Sequence, residues 1–144
     1  MKIDRDTIER LVPHAGSMCL LDEVTHWSRS AIACIAAPPA VHHPLARNGR
    51  LSAVVLTEYA AQATAVHGAL LEEGMRPRAG MLAALVDVEL AGSHGSDGGD
   101  LVIEADLLSR SAAGCLYGFA VRNSAATLAT GRLMVALGAA GAAA

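Results

Sequence analysis

LSAVVLTEYAAQATAVHGALLEEG, residues 51–74, is the stretch on which the fold turns. Ser52 can cap a helix and Gly74 can stop one. About 21 residues lie between them, nearly six turns at 3.6 residues per turn. Val54, Val55, Leu56, Ala60, Ala61, Ala65, Val66 and Leu70 fall on all sides of that helix. A helix that is apolar all round is buried all round. Its many alanines let it lie close against a sheet.

Upstream, Asp4 to Leu11 reads as a short helix entered through an Asp cap and ended by Pro13. MCLLDEVTHW (18–27) and SAIACIAAP (30–38) read as strands, and VHHPLARNGR (41–50) as an irregular loop. Downstream, four segments alternate: GMLAALVDVELAG (80–92), DLVIEADLLSR (100–110), GCLYGFAVRN (114–123) and ATLATGRLMVAL (126–137). In the second of these, Leu101, Ile103, Ala105 and Leu107 share one face while Glu104 and Asp106 share the other. Short links at 111–113 and 123–126 predict antiparallel hairpins. The order is short helix, two strands, long helix, four strands, which is an α+β layout. A six-stranded antiparallel sheet curling around one long central helix is the hotdog fold. It is expected over residues 1–138, with GAAGAAA forming a frayed tail over 139–144.

Composition narrows the function classes. The chain has 144 residues, 53% of them hydrophobic and only 3% aromatic, which suits one domain with a core of small side chains. Part of its apolar surface is expected to be covered by another subunit. The formal charge is -3 and no basic stripe appears, so nucleic acid is not an expected partner. Arg47, Arg50, Arg76 and Arg78 are candidates for a local patch that docks an acidic protein. Cys19, Cys34 and Cys115 are far apart and odd in number, and read as buried free thiols. No run reaches the roughly 20 apolar residues that a membrane span needs, and no apolar signal core is visible, so the cytoplasm is the expected compartment.

Glu58 carries the most chemical information. It sits in the second turn expected for the helix, among Leu56, Tyr59, Ala60 and Ala61, and burying an ionised carboxylate needs compensation. Gln62, four residues on, shares its face and can hydrogen-bond it. Alternatively, this stripe of the helix meets solvent at an edge. His42 and His43 stand in the loop before the helix, where they are either exposed loop residues or neighbours of the helix N-terminus. Free backbone N–H groups at that terminus suit a developing oxyanion. A histidine beside a thioester there can remove the α-proton, and Glu58 can protonate the leaving hydroxyl. His14 reads as a turn histidine, His26 and His94 as surface residues, and His67 lies on the opposite side of the helix from Glu58. No ligand pair has the spacing of a zinc site.

Three segments resemble the 3-hydroxyacyl-acyl-carrier-protein dehydratases, most closely the divergent branch associated with aryl polyene biosynthesis. LVPHAGSMCLLDEV (11–24) resembles the family's Leu-Pro-His opening, followed by an apolar strand ending in Asp. RLSAVVLTEYAAQA (50–63) resembles its catalytic helix, with Glu-x-x-Ala-Gln spacing at Glu58 and Gln62. The strand order from 80 to 137 matches its last four strands. The resemblance implies dehydration of 3-hydroxyacyl thioesters to trans-2-enoyl thioesters, in fatty acid or polyene-type biosynthesis. The substrate would be carried on the phosphopantetheine of acyl carrier protein, with no metal or organic cofactor. It implies a homodimer or heterodimer, and possible larger assemblies, with a site shared across the interface. Glu58 matches the catalytic acid and His43 the base, with His42 as the alternative. Ala53, Val54 and Gln62 fall at substrate-binding positions. The sequence departs from the family pattern in two places. Ser52-Ala53 replaces a Pro-Gly pair, and the His43-to-Glu58 spacing is one residue longer than usual. Two alternatives follow: a weakly active or non-catalytic subunit of a heteromeric dehydratase, or a hotdog acyl thioesterase.

Overall fold

The computed structural model describes residues 2–12, 19–37, 55–72, 80–90 and 99–137. The chain begins with β1 (Ile3–Asp4), α1 (Arg5–Leu11), β2 (Glu23–Trp27) and β3 (Ala31–Ala36). It continues through α2 (Leu56–Leu71), β4 (Gly80–Leu90), β5 (Leu101–Arg110), β6 (Gly114–Arg122) and β7 (Thr127–Leu137).

The Asp4 cap forms as its sequence predicts: the carboxylate accepts the Thr7 N–H at 2.9 Å. A capping residue has extended backbone, here φ -83° and ψ 170°. Ile3 and Asp4 therefore pair with Val24 and Glu23 before the helix begins. That pairing makes the sheet seven-stranded rather than the expected six. A two-residue strand has no periodicity for sequence to display.

All pairings are antiparallel, in the order β1-β2-β3-β5-β6-β7-β4. The hairpins β5–β6 and β6–β7 form where short links predict them. Asn123 closes the second by accepting the N–H groups of Ala125 and Ala126 on its side-chain oxygen, each at 2.9 Å. Leu101, Ile103 and Ala105 are buried, while Glu104 and Asp106 point to the other face. The curved sheet wraps α2, which packs against β3, β5, β6 and β7. This is the α+β hotdog architecture. Ala60 and Ala63 are fully buried beneath it, so the backbone of the helix approaches the sheet with no large side chain between.

The helix is shorter than its sequence suggests. It runs from Leu56 with Val55 at the cap position, and no side chain caps it; Ser52 lies outside the described residues. Nor is it buried all round, since Glu58 is exposed and Ala61, Ala65 and Gly68 to Leu71 are half-buried. The sheet covers only part of the helix circumference within one chain.

At the far end of the sheet, β4 pairs with β7 but is kinked. The register jumps between Val86 and Glu89, and Asp87 has a left-handed φ of 52°. Gly131 makes room for the kink, because a Cβ there would lie 3.0–3.1 Å from Val88. Arg132 forms an ion pair with Asp87 across it. Leu85 and Leu90 remain 41% and 38% exposed on this strand. Cys19 and Cys34 are buried as expected, whereas Cys115 is only half-buried; all three are free thiols.

Candidate active site

The beginning of α2 brings together the two polar residues that the four-residue spacing predicts. Gln62 Nε2 donates to Glu58 Oε2 at 3.0 Å. Gln62 Oε1 accepts the backbone N–H of Leu20 at 2.8 Å in a buried contact. The second bond fixes the first. A backbone N–H can only donate, so the amide oxygen must face Leu20 and the NH2 group must face Glu58. Gln62 is 6% exposed and cannot turn freely.

The segment on which Gln62 rests is itself braced. Arg5 donates to the Cys19 carbonyl at 2.6 Å and to Asp22 Oδ1 at 2.9 Å, and Asp22 Oδ2 accepts the Ala37 N–H at 2.6 Å. Helix α1, the approach to β2 and the end of β3 thus form one scaffold beneath Gln62. Tyr59 packs beside it; burial and the nearby Asp22 carboxylate push its hydroxyl up to about 12, so it stays protonated.

Glu58 itself sits in the first turn of α2, not the second. There the helix dipole favours a carboxylate. It is exposed in the single chain, which corrects the expectation of burial and fits the edge alternative. The apolar neighbours in sequence point inward, while the Glu58–Gln62 stripe lies at the margin left open by the sheet. Held by one amide, with the rest of its carboxylate accessible, Glu58 is placed to exchange a proton or hydrogen bond with a molecule laid against this margin.

His42, His43, Ala53 and Val54, the other site residues expected from the sequence, lie outside the described residues, as do His14, His94, Arg47, Arg50, Arg76 and Arg78. His26 is exposed on β2, as expected. A cavity of about 470 Å³ lined by His26, Glu104, Asp106 and Gly118 lies on the sheet face turned away from α2, and Glu58 is not part of it. Among the described residues, no three His, Cys, Asp or Glu side chains are grouped to hold a metal ion. None of their helices is long and apolar enough to cross a membrane.

A family model described as ApeP-like, ApeP dehydratase, matches residues 6–141. The chain belongs to the ApeP-like dehydratase family. Among solved structures, this ApeP-like chain is similar to the dehydratase heterocomplex ApeI:P from Xenorhabdus doucetiae. The TM-score is 0.80 at 23% identity, covering 91% of this chain and 90% of that one. A thioesterase from Haemophilus influenzae follows at TM-score 0.69 and 14% identity, covering 95% and 92%. A hypothetical thioesterase with coenzyme A from Streptococcus pneumoniae has TM-score 0.63 and 10% identity, covering 81% and 85%. At these identities the likenesses confirm the hotdog fold. No curated protein matches the sequence.

One ordered polar cluster was not assigned a role from the sequence. His67, which lies across the helix from Glu58, is fully buried and bonded through both ring nitrogens. The alternation of β6 turns Tyr117 inward, and a buried tyrosine hydroxyl needs a partner. That was the available signal.

Proposed function

We propose that this ApeP-like chain is one subunit of a heteromeric dehydratase acting on 3-hydroxyacyl thioesters held on acyl carrier protein. Glu58 is its contribution to the shared site. The observation that carries the reading is the Glu58–Gln62 pair: a carboxylate oriented by a locked amide, yet left open to solvent in the single chain. A carboxylate serves best as a proton donor to a leaving hydroxyl when water is excluded around it. A second dehydratase-like subunit laid over this margin would supply that exclusion. The similar structure from Xenorhabdus doucetiae is a dehydratase heterocomplex, which supports such a partner.

In this reading the base that removes the α-proton is His43, or His42 beside it. The enolate oxygen is received at the N-terminal side of α2, around Ala53 and Val54. Glu58 then protonates the departing hydroxyl, which leaves as water. Alone, the chain is weakly active, because its acid works in bulk solvent.

The test is to measure conversion of a 3-hydroxyacyl-carrier protein to the enoyl form by mass spectrometry. The purified chain is assayed alone, then co-purified with a second dehydratase-like subunit from the same organism. Activity is expected in the complex, and Glu58→Gln and His43→Ala are each expected to lower it by at least about 100-fold. Full activity of the isolated chain would refute the heteromeric reading. Wild-type activity in the Glu58→Gln complex would remove Glu58 from the chemistry. Release of free thiol in place of water would assign the chain to thioester hydrolysis.

A further inference from the structure

The His67 ring joins three parts of the fold. It projects from α2, its Nε2 lies 2.8 Å from the Ser28 carbonyl at the end of β2, and its Nδ1 lies 2.7 Å from the Tyr117 hydroxyl on β6. The rings of His67 and Tyr117 meet edge to face, with centroids 5.5 Å apart. Both side chains are essentially inaccessible to water.

This geometry determines where the protons are. A carbonyl oxygen only accepts, so Nε2 carries the hydrogen and donates to Ser28. In the neutral ring Nδ1 is then a bare acceptor, and Tyr117 must donate to it. Both partners are used in their uncharged forms. A second ring proton would have to enter at Nδ1, the position to which the Tyr117 O–H already points. The hydroxyl would have to turn away, and its hydrogen would then seek another acceptor in a buried setting, where an unmet donor is costly.

The surroundings offer the charged ring little relief. On β6 the titratable group beside Tyr117 is Cys115, while Arg122 pairs with Glu104 at the strand's far end. On β5 the charge that reaches the ring is Arg110, tied to Glu72 just past α2 at 2.9 Å, whereas Glu104 and Asp106 point to the other face. The β2–β3 connection offers the Ser28 carbonyl, and its Arg29 is exposed. From β3 the titratable group is Cys34, a buried thiol, and the inward residues of β7, Ala129 and Leu133, are apolar. Glu58 lies on the opposite side of the helix. Burial pushes the ring most strongly toward its neutral form, the Ser28 bond opposes this to a lesser degree, and Arg110 adds a smaller push toward neutral.

We propose that His67 is an acid-labile clasp: proton uptake by this one ring breaks its joint to Tyr117 and releases α2, the helix that carries Glu58, from the sheet. The sign follows from linkage. The folded chain holds the ring neutral, and the unfolded chain protonates it near the ordinary histidine value of about 6.5. Stability from the clasp is therefore fully present above that pH and is lost as pH falls below it. The unfolding equilibrium shifts by up to about tenfold per pH unit until the folded ring itself titrates.

The experiment combines ring ¹⁵N NMR of the full chain with urea unfolding of wild type and His67→Gln between pH 8 and pH 5. Gln is chosen because its amide offers a donating NH2 group and an accepting oxygen but does not titrate. The ¹⁵N spectrum is expected to show a neutral ring with its hydrogen on Nε2 through pH 6. Unfolding of the wild type is expected to become easier, relative to the variant, by about fivefold between about pH 6.5 and pH 5.5. Parallel pH profiles for the two proteins would overturn the proposal. So would a ring that titrates at the ordinary value or carries its hydrogen on Nδ1. The NMR measurement decides the matter alone if His67→Gln does not fold.

Discussion

Replacing Gln62 with Leu isolates what the amide does for the scaffold from what it does for Glu58. The two residues have similar volume and similar helix propensity, so the change acts mainly on hydrogen bonds. The Leu20 N–H, bonded at 2.8 Å in a buried position, loses its acceptor. An orphaned buried donor costs about 1–3 kcal/mol. The Glu58 carboxylate also loses its donor, but it is exposed and water replaces the amide, so little is added. Leu gains some burial in return, leaving a net loss of about 2 kcal/mol. For a chain of this size that lowers the melting temperature by about 4–8 °C. Thermal unfolding followed by circular dichroism measures it, and hydrogen exchange at the Leu20 amide reports the orphaned donor directly. The decisive comparison is a cycle with Glu58→Ala. If the loss comes from Leu20, Gln62→Leu costs nearly the same in either background. A melting temperature unchanged from wild type, or a loss that disappears once Glu58 is gone, would refute this account of the amide.

Three further outcomes follow from the packing. Gly114→Ala is expected to destabilise by about 3 kcal/mol, because the new methyl would overlap the Val135 carbonyl oxygen of the neighbouring strand; urea midpoints measure it. Gly118→Ala is expected to be neutral within about 0.5 kcal/mol, since its nearest neighbour is the end of the exposed Leu108 side chain at 3.5 Å. Of the three thiols, the half-buried Cys115 is expected to react first with a disulfide reagent in the native protein. Burial pushes Cys34 up to about 12 and also raises Cys19, so fast labelling at Cys34 would contradict its placement.

Legibility in the sequence followed the range of the interactions. The Asp4 cap, the Glu58–Gln62 bond and the alternation of β5 involve residues one to four positions apart, and spacing alone exposes them. The burial of His67 does not show, because Ser28 and Tyr117 are 39 and 50 residues away along the chain. Apolar neighbours left Glu58 readable either as buried or as lying at a helix edge. Its exposure depends on where the curved sheet stops, which no local pattern encodes. Strand β1 was invisible because two residues cannot alternate. Extending β2 back to residue 18 had a similar cause: Cys19, Leu20 and Leu21 are apolar and buried, but their polar backbone is engaged partly by Arg5 and Gln62.

The kink in β4 bears on how these chains behave at high concentration. A straight terminal strand is a template on which identical molecules can add one after another into a fibre. Here the left-handed residue Asp87, pinned to Arg132, interrupts the ladder between Val86 and Glu89, and a second register shift falls between Leu82 and Ala84, leaving three short runs instead of one continuous rail. The exposed carboxylates of Asp87 and Glu89 lie beside the break, so copies arriving in register would bring like charges together. Runaway stacking is thereby discouraged by the backbone itself, without any proline in the strand.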